Sequence, residues 1–347
     1  MSKKEIKNSP YTYVKTMVMK SLLFEKPEYH RMLKMSFAEI AKLLQESQYR
    51  KEINVLGVEH EGADLLELAL NLNLGNTFKK LHQISPSVLG EVIERYAARN
   101  DFEDMKTILR GKSSGSDQSE IIRMLTCAGI LKKQVLLDLT KKETVDQILK
   151  DNPLVPYNKF KKALKIYQAK KDLTEIEHVL DQQYYAGLLQ LGKQMSDQGK
   201  YFLEFIEKEI QLMNLLAILR AKVAHENAEN ILISTGKPLK DMRIESLSKI
   251  SSLNDVIKKL SASKHFPIMK EGIQKLEENG TGTQLENALR KQLLNSSMLL
   301  LHQHPISVDV ILGYMLAKDV EVRNLRIIVK GKQLGISEQN IEEQLVW

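Results

Sequence analysis

The chain has 347 residues, 51 basic and 44 acidic side chains for a formal charge of +7, and 43% apolar residues. That composition supplies one to three packed domains and excludes a wholly disordered chain, while the single cysteine excludes an internal disulfide framework and points to a reducing compartment. Glycine (17) and proline (8) are sparse, which favours long helices over turn-rich architectures.

Residues 1–9, where Lys3, Lys4 and Lys7 alternate with polar residues, read as a flexible N-terminal segment rather than a leader peptide. From Pro10 onward apolar residues recur at spacings of three and four, as in Ile40, Leu43, Leu44, then Ile176, Val179, Leu180, then Met213, Leu216, Ala217. Sustained two-residue alternation is hard to find, so the reading is all-α. Ser36 with Glu39, Thr140 with Glu143 and Ser252 with Asp255 have the spacing of capping boxes. Residues 111–115, 152–156 and 279–282 read as short polar loops. The longest uncharged stretch, Gln292 to Val308, contains Asn295, Ser296, Ser297, His302, Gln303 and His304 and is too polar to span a bilayer. A cytosolic or membrane-peripheral protein is expected.

Sliding the sequence along itself exposes a repeat. Ile108-Leu109-Arg110-Gly111-Lys112 returns as Ile218-Leu219-Arg220-Ala221-Lys222 and as Ile328-Val329-Lys330-Gly331-Lys332, at offsets of 110. An isoleucine stands nine residues after each closing lysine, at 121, 231 and 341. Leu66, Leu70 and Leu74 match Ile176, Leu180 and Tyr184, then Leu285, Leu289 and Leu293. Ile40 with Tyr49, Ile148 with Tyr157 and Ile257 with Phe266 keep the same order. Three tandem helical domains of about 110 residues are expected, over 10–130, 131–240 and 241–347, with these apolar positions in their cores. The repeat is equally compatible with a ring and with a linear array.

The search for chemistry is negative. Gly111-Lys112-Ser113 resembles the end of a phosphate-binding loop, but position 106 is lysine instead of the first glycine and the preceding residues read as helix. It is better explained as a helix C-terminus. His225-Glu226 lacks the second histidine of a zinc helix, since position 229 is glutamate, and His302, His304 and Cys127 form no ligand set. Gly280-Thr281-Gly282 reads as a loop, and no serine sits in a nucleophile turn. No catalytic residue, cofactor site, metal site or small-molecule substrate is expected. The mild positive charge leaves a basic helical module for nucleic acid as the alternative function, although no basic run is interleaved with aromatics.

Arg110, Arg220 and Lys330 share one phase of the repeat. Two residues beyond a core isoleucine is about 200° around a helix, so their side chains are expected to point away from the core. They either complement the negative ends of their helices or form a ring of positive charge lining a socket or its rim. They are the candidate partner-binding residues.

The segment Glu321-Val322-Arg323-Asn324-Leu325-Arg326-Ile327-Ile328, then Lys330-Gly331-Lys332, preceded by Pro305 and Tyr314 and followed by Ile341 to Val346, resembles the C-terminal signature of the C subunits of A-type/V-type ATPases, known in eukaryotes as d subunits. Tyr11-Thr12-Tyr13-Val14, Ile40 to Tyr49, Met105 to Lys112 and Leu180 to Tyr185 extend the likeness from about Pro10 to Trp347. Asp104, where the later repeats have Asn214 and Asn324, and Ala221, where the first and third repeats have glycine, depart from the pattern. The resemblance implies a funnel-shaped, pseudo-three-fold protein around a central socket. It implies a non-catalytic central-stalk subunit, one copy per complex, between the axle subunits and the membrane proteolipid ring of a rotary ATPase. Such a subunit lies peripherally on the cytoplasmic face and transmits torque between ATP hydrolysis or synthesis and ion movement, a task suited to a stiff, densely packed body.

Overall fold

The computed structural model describes residues 4, 5, 9–196, 198–225, 228, 231–234, 244–250, 252–261, 266–279, 282–303 and 307–347. Among the described residues the regular structure is helical, and the one extended pairing is an isolated bridge between Lys4 and Met195. Lys4 is also tied by its side chain to Glu91, at 2.6 Å.

Taken in chain order, the helices group into three stretches. The first stretch holds α1 (Pro10–Lys20), α2 (Lys26–Lys34), α3 (Phe37–Gln45), α4 (Arg50–Leu56), α5 (Gly62–Gln83), α6 (Ser87–Ala97), α7 (Arg99–Ser114) and α8 (Gln118–Met124). The second holds α9 (Lys133–Thr140), α10 (Val145–Asp151), a 3-10 turn (Tyr157–Phe160), α11 (Lys161–Lys170), α12 (Thr174–Gln194) and α13 (Gln198–Val223). The third holds α14 (Ile244–Ser248), α15 (Leu253–Leu260), α16 (Phe266–Asn279), α17 (Thr283–Gln303), α18 (Val308–Gln333) and α19 (Glu338–Glu342). In each stretch short helices precede two long ones. The second long helix is continuous in α13 and α18 but interrupted at Ala98 between α6 and α7.

Long helices need tertiary packing to persist, and the repeated apolar positions supply it. Ile108, Ile218 and Ile328 are fully buried, as are Leu66, Ile176 and Leu285. Each contributes about 1.5–3 kcal/mol on transfer from water. Ile257, Tyr157 and Phe266 lie at the core's edge, half-buried. Each first long helix packs on the second long helix of its own stretch and also on that of another stretch. Thus α12 packs on α13 and also on α7, α17 on α18 and also on α13, and α5 on α6 and also on α18. The last long helix therefore lies against the first.

Helix ends refine the sequence reading. Ser36 and Glu39 form the expected capping box of α3. Thr140 does not cap a helix, because it is the buried last residue of α9. The box lies four residues on, where Thr144 accepts from the Gln147 N–H. Ser252 is the N-cap of α15 without a side-chain bond. The loop expected from Gly111 starts at Gly115, whose φ of 78° ends α7, while Gly111 is inside the helix. Glycine is needed there because a Cβ would lie 2.5 Å from Ile121 Cγ1. Gly331 meets Ile341 in the same way, at 2.6 Å. These contacts explain the repeated isoleucine. In the second repeat the position is Ala221 and Ile231 is only half-buried.

After each second long helix the chain folds back and is held by one buried side chain. Asp104 accepts from Thr126 N (2.7 Å), Thr126 Oγ1 (3.0 Å) and Cys127 N (2.8 Å). Asn214 accepts from Ile233 N (2.8 Å) and donates to Ile233 O (3.0 Å). Asn324 accepts from Val346 N (3.0 Å) and donates to Val346 O (2.6 Å).

Candidate functional site

Arg110, Arg220 and Lys330 lie near the C-terminal ends of α7, α13 and α18, two residues beyond the buried isoleucines. Their side chains are 57%, 49% and 59% exposed. All three are engaged. Arg110 donates from Nε and Nη2 to the two oxygens of Glu177, 2.6 Å each. Arg220 Nη2 lies 3.3 Å from Glu286 Oε2, and Lys330 Nζ lies 3.5 Å from Glu67 Oε1. Glu67, Glu177 and Glu286 themselves occupy one phase of the repeat, on α5, α12 and α17. Each cation therefore reaches a glutamate from a different repeat, and the last cation returns to the first repeat. The glutamates escaped the sequence reading because only apolar positions and cations were aligned. The same offsets applied to acidic residues reveal them.

A second set of charges lies deeper. Arg99 meets Glu209 at 2.6 Å, and Glu209 also accepts from the Tyr185 hydroxyl at 3.1 Å. Asp319 adds its field to Arg99. Positions 99, 209 and 319 are again one phase of the repeat, carrying arginine, glutamate and aspartate. Lys106, almost fully buried, sits between Glu103 (2.9 Å) and Asp181 (2.6 Å). Between α18 and the first helices, Lys318 is fully buried with Nζ 2.9 Å from both Glu321 Oε1 and Tyr49 Oη. Burial pushes the Lys318 ammonium down against the attraction of Glu321, and burial with Glu321's charge pushes the Tyr49 phenol up. Glu321 also accepts from the Phe24 N–H at 2.6 Å. In the first repeat Asp101 likewise accepts from Ile130 N and Leu131 N, at 2.7 and 3.2 Å.

The excluded motifs find other uses. Gly111-Lys112-Ser113 is helical. Lys222 and Lys332, the repeat equivalents of Lys112, donate to the Ser248 and Leu33 carbonyls. Cys127 is half-buried with its thiol pushed to about 11 by burial and the Asp104 charge, which favours the protonated thiol at neutral pH. His225 is described, with φ of 57°, whereas Glu226, Glu229, Gly280, Thr281, His304 and the His302 side chain lie outside the described residues. Among the described residues no three histidine, cysteine or acidic side chains are placed to hold a metal, and no helix is long and apolar enough to cross a membrane.

The fold and its junctions define an all-α protein of internally repeated long helices. The chain belongs to the ATP synthase (C/AC39) subunit family, whose sequence profile matches residues 13–344. It is 32% identical over 344 residues to the A-type ATP synthase C subunit of Methanosarcina barkeri, covering 98% of this chain and 93% of that protein. Identity to the A-type ATP synthase C subunit of Methanococcoides burtonii is 34% over 345 residues, covering 98% and 95%. For that of Haloquadratum walsbyi it is 28% over 342 residues, covering 98% of each.

Proposed function

We propose that the chain is a non-catalytic central-stalk component, the C subunit, of a rotary A-type/V-type ATPase. Its three domains, 10–130, 131–240 and 241–347, close head to tail into a funnel around a socket. The observation that carries the closure is the cyclic set of ion pairs, Arg110 with Glu177, Arg220 with Glu286 and Lys330 with Glu67. One contact used head to tail and returning to its start is the mark of a heterologous interface that closes. The packing of α5 on α18 and the convergence of positions 99, 209 and 319 support the same reading, because equivalent residues of three units approach one another only near their common axis.

In this role the axle subunits enter the socket and the wide end rests on the membrane proteolipid ring, at the cytoplasmic face and without a span of its own. The protein transmits torque and performs no chemistry. Arg110, Arg220 and Lys330, exposed for about half of their surface, are candidates for contact with acidic groups of those partners. The test is removal of this subunit from the complex. ATP hydrolysis by the soluble head persists and ion pumping is lost on this reading, whereas pumping at full rate without the subunit excludes it. Calorimetric titration of the isolated chain with ATP should give no saturable heat. Micromolar binding abolished by Lys112→Ala would contradict a non-catalytic stalk.

A further inference from the structure

Glu67, Glu177 and Glu286 are equivalent, yet their surroundings differ. Glu177 takes the fork of Arg110, and the neighbouring lysine, Lys106, is held between Glu103 and Asp181, so that junction is rich in acid. Glu67 takes Lys330 at 3.5 Å. Glu286 takes three guanidiniums. Arg290 Nε reaches Oε1 at 3.0 Å, Arg323 Nη1 reaches Oε1 at 3.4 Å and Arg220 Nη2 reaches Oε2 at 3.3 Å. Arg323 Nη2 makes one further bond, to Asn287 Oδ1 at 3.1 Å.

Among the described residues the cluster is short of both charge and acceptors. Three cations face one carboxylate, with Asp319 acting on Arg323 from farther away. Each guanidinium carries five N–H donors, and these four bonds use a small part of them among the described residues. Burial and the like charge of Arg290 push the Arg323 guanidinium down from its ordinary range, as expected where positive charge is under-compensated. The side chains of Arg220, Arg290 and Arg323 remain 49%, 32% and 28% exposed, so solutes reach them. Gly282 lies so close to Arg220 that a Cβ there would come within 2.5 Å of Nε, which brings the backbone tight against the guanidinium.

We infer that Arg220, Arg290 and Arg323 form an oxyanion-binding site at the junction of α13, α17 and α18, absent from the two equivalent junctions. Its ligand is a group with two or more anionic oxygens that fit guanidinium forks: free inorganic phosphate, or the carboxylate of an acidic side chain on a neighbouring subunit. Phosphate binding stands on these residues alone, whereas the carboxylate source rests on the proposed role as a subunit of a larger complex.

The first arm of the test titrates the isolated full chain with inorganic phosphate by calorimetry, against chloride at matched ionic strength. Saturable binding is expected, weakened at least tenfold by Arg290→Gln and by Arg220→Gln, with melting temperatures in chloride confirming that each variant is folded. Arg323→Gln joins the series if it folds. The second arm measures the affinity of the same variants for the rest of the native complex stripped of this subunit. Loss of affinity in the arginine variants, without phosphate binding to the free chain, identifies an acidic side chain as the ligand. No phosphate binding and no selective loss of assembly overturns the inference, while the stalk reading remains to be judged by pumping.

Discussion

Asp104 in the first repeat and Asn324 in the third do the same mechanical job with different hydrogen-bonding chemistry. Both are buried, and both hold the chain where it folds back after a long helix. The segment at Thr126 and Cys127 presents two N–H groups and a hydroxyl, all donating, and only an acceptor-only carboxylate satisfies them. The segment at Val346 presents the N–H and the carbonyl of one residue, which an amide matches with its own acceptor and donor. Asn214 and Ile233 repeat the amide solution. A substitution that looks like drift from a repeat pattern is therefore fixed by what the folded-back backbone offers.

The most severe way to break this comparison is Asn324→Asp. A carboxylate there faces the Val346 carbonyl with no donor to give it, in a site with no exposure. Loss of about 3–5 kcal/mol is expected, read by denaturant unfolding. The reverse change, Asp104→Asn, turns an amide N–H₂ toward backbone donors and is expected to cost about 1–3 kcal/mol. If both variants unfold at the wild-type midpoint, donor matching does not select these residues.

Asp101 sharpens the comparison through pH. It secures the Ile130 and Leu131 N–H groups just beyond Asp104's contacts, and burial raises its carboxyl from the ordinary 3.8 to about 6, despite those bonds. Between those values the folded chain holds a proton that the unfolded chain has released. Its contribution to stability is complete below about pH 4 and falls as pH rises through 6. The stability of wild type relative to Asp101→Asn should therefore shrink by roughly 2 kcal/mol from pH 4 to pH 7. A difference that grows with pH would reverse the assignment.

The all-α class was legible because apolar periodicity records burial directly, and Ile108, Leu66 and their equivalents are buried as that pattern requires. Caps were legible only in part. Thr140 has the right spacing to Glu143, but the helix stops at Thr140 and Thr144 takes the role, a choice made by packing of α9 rather than by spacing. The three cations were legible as a set, their partners were not. An ion pair joins residues 67 positions apart in Arg110 and Glu177, and helical periodicity carries no information about which surface another helix will bring. The cluster on Glu286 was hidden for the same reason, since Arg220 comes from α13 while Arg290 and Arg323 come from two other helices.

The smallest expected effect separates side-chain chemistry from backbone geometry at two equivalent junctions. Arg110 grips Glu177 with two bonds of 2.6 Å, whereas Lys330 stands 3.5 Å from Glu67, a point charge beside a carboxylate. Both cations are more than half exposed, so solvent and salt screen them. Double-mutant cycles should give a coupling of about 0.5–1 kcal/mol for Arg110 with Glu177 and less than about 0.5 kcal/mol for Lys330 with Glu67, both shrinking as salt is raised. Lys330→Arg then decides the cause. If the guanidinium fork alone makes the first junction stronger, the variant's coupling to Glu67 rises to the Arg110 value. If the helices at the α5–α18 junction hold the partners too far apart, coupling stays where it was, and the difference between the junctions belongs to the backbone.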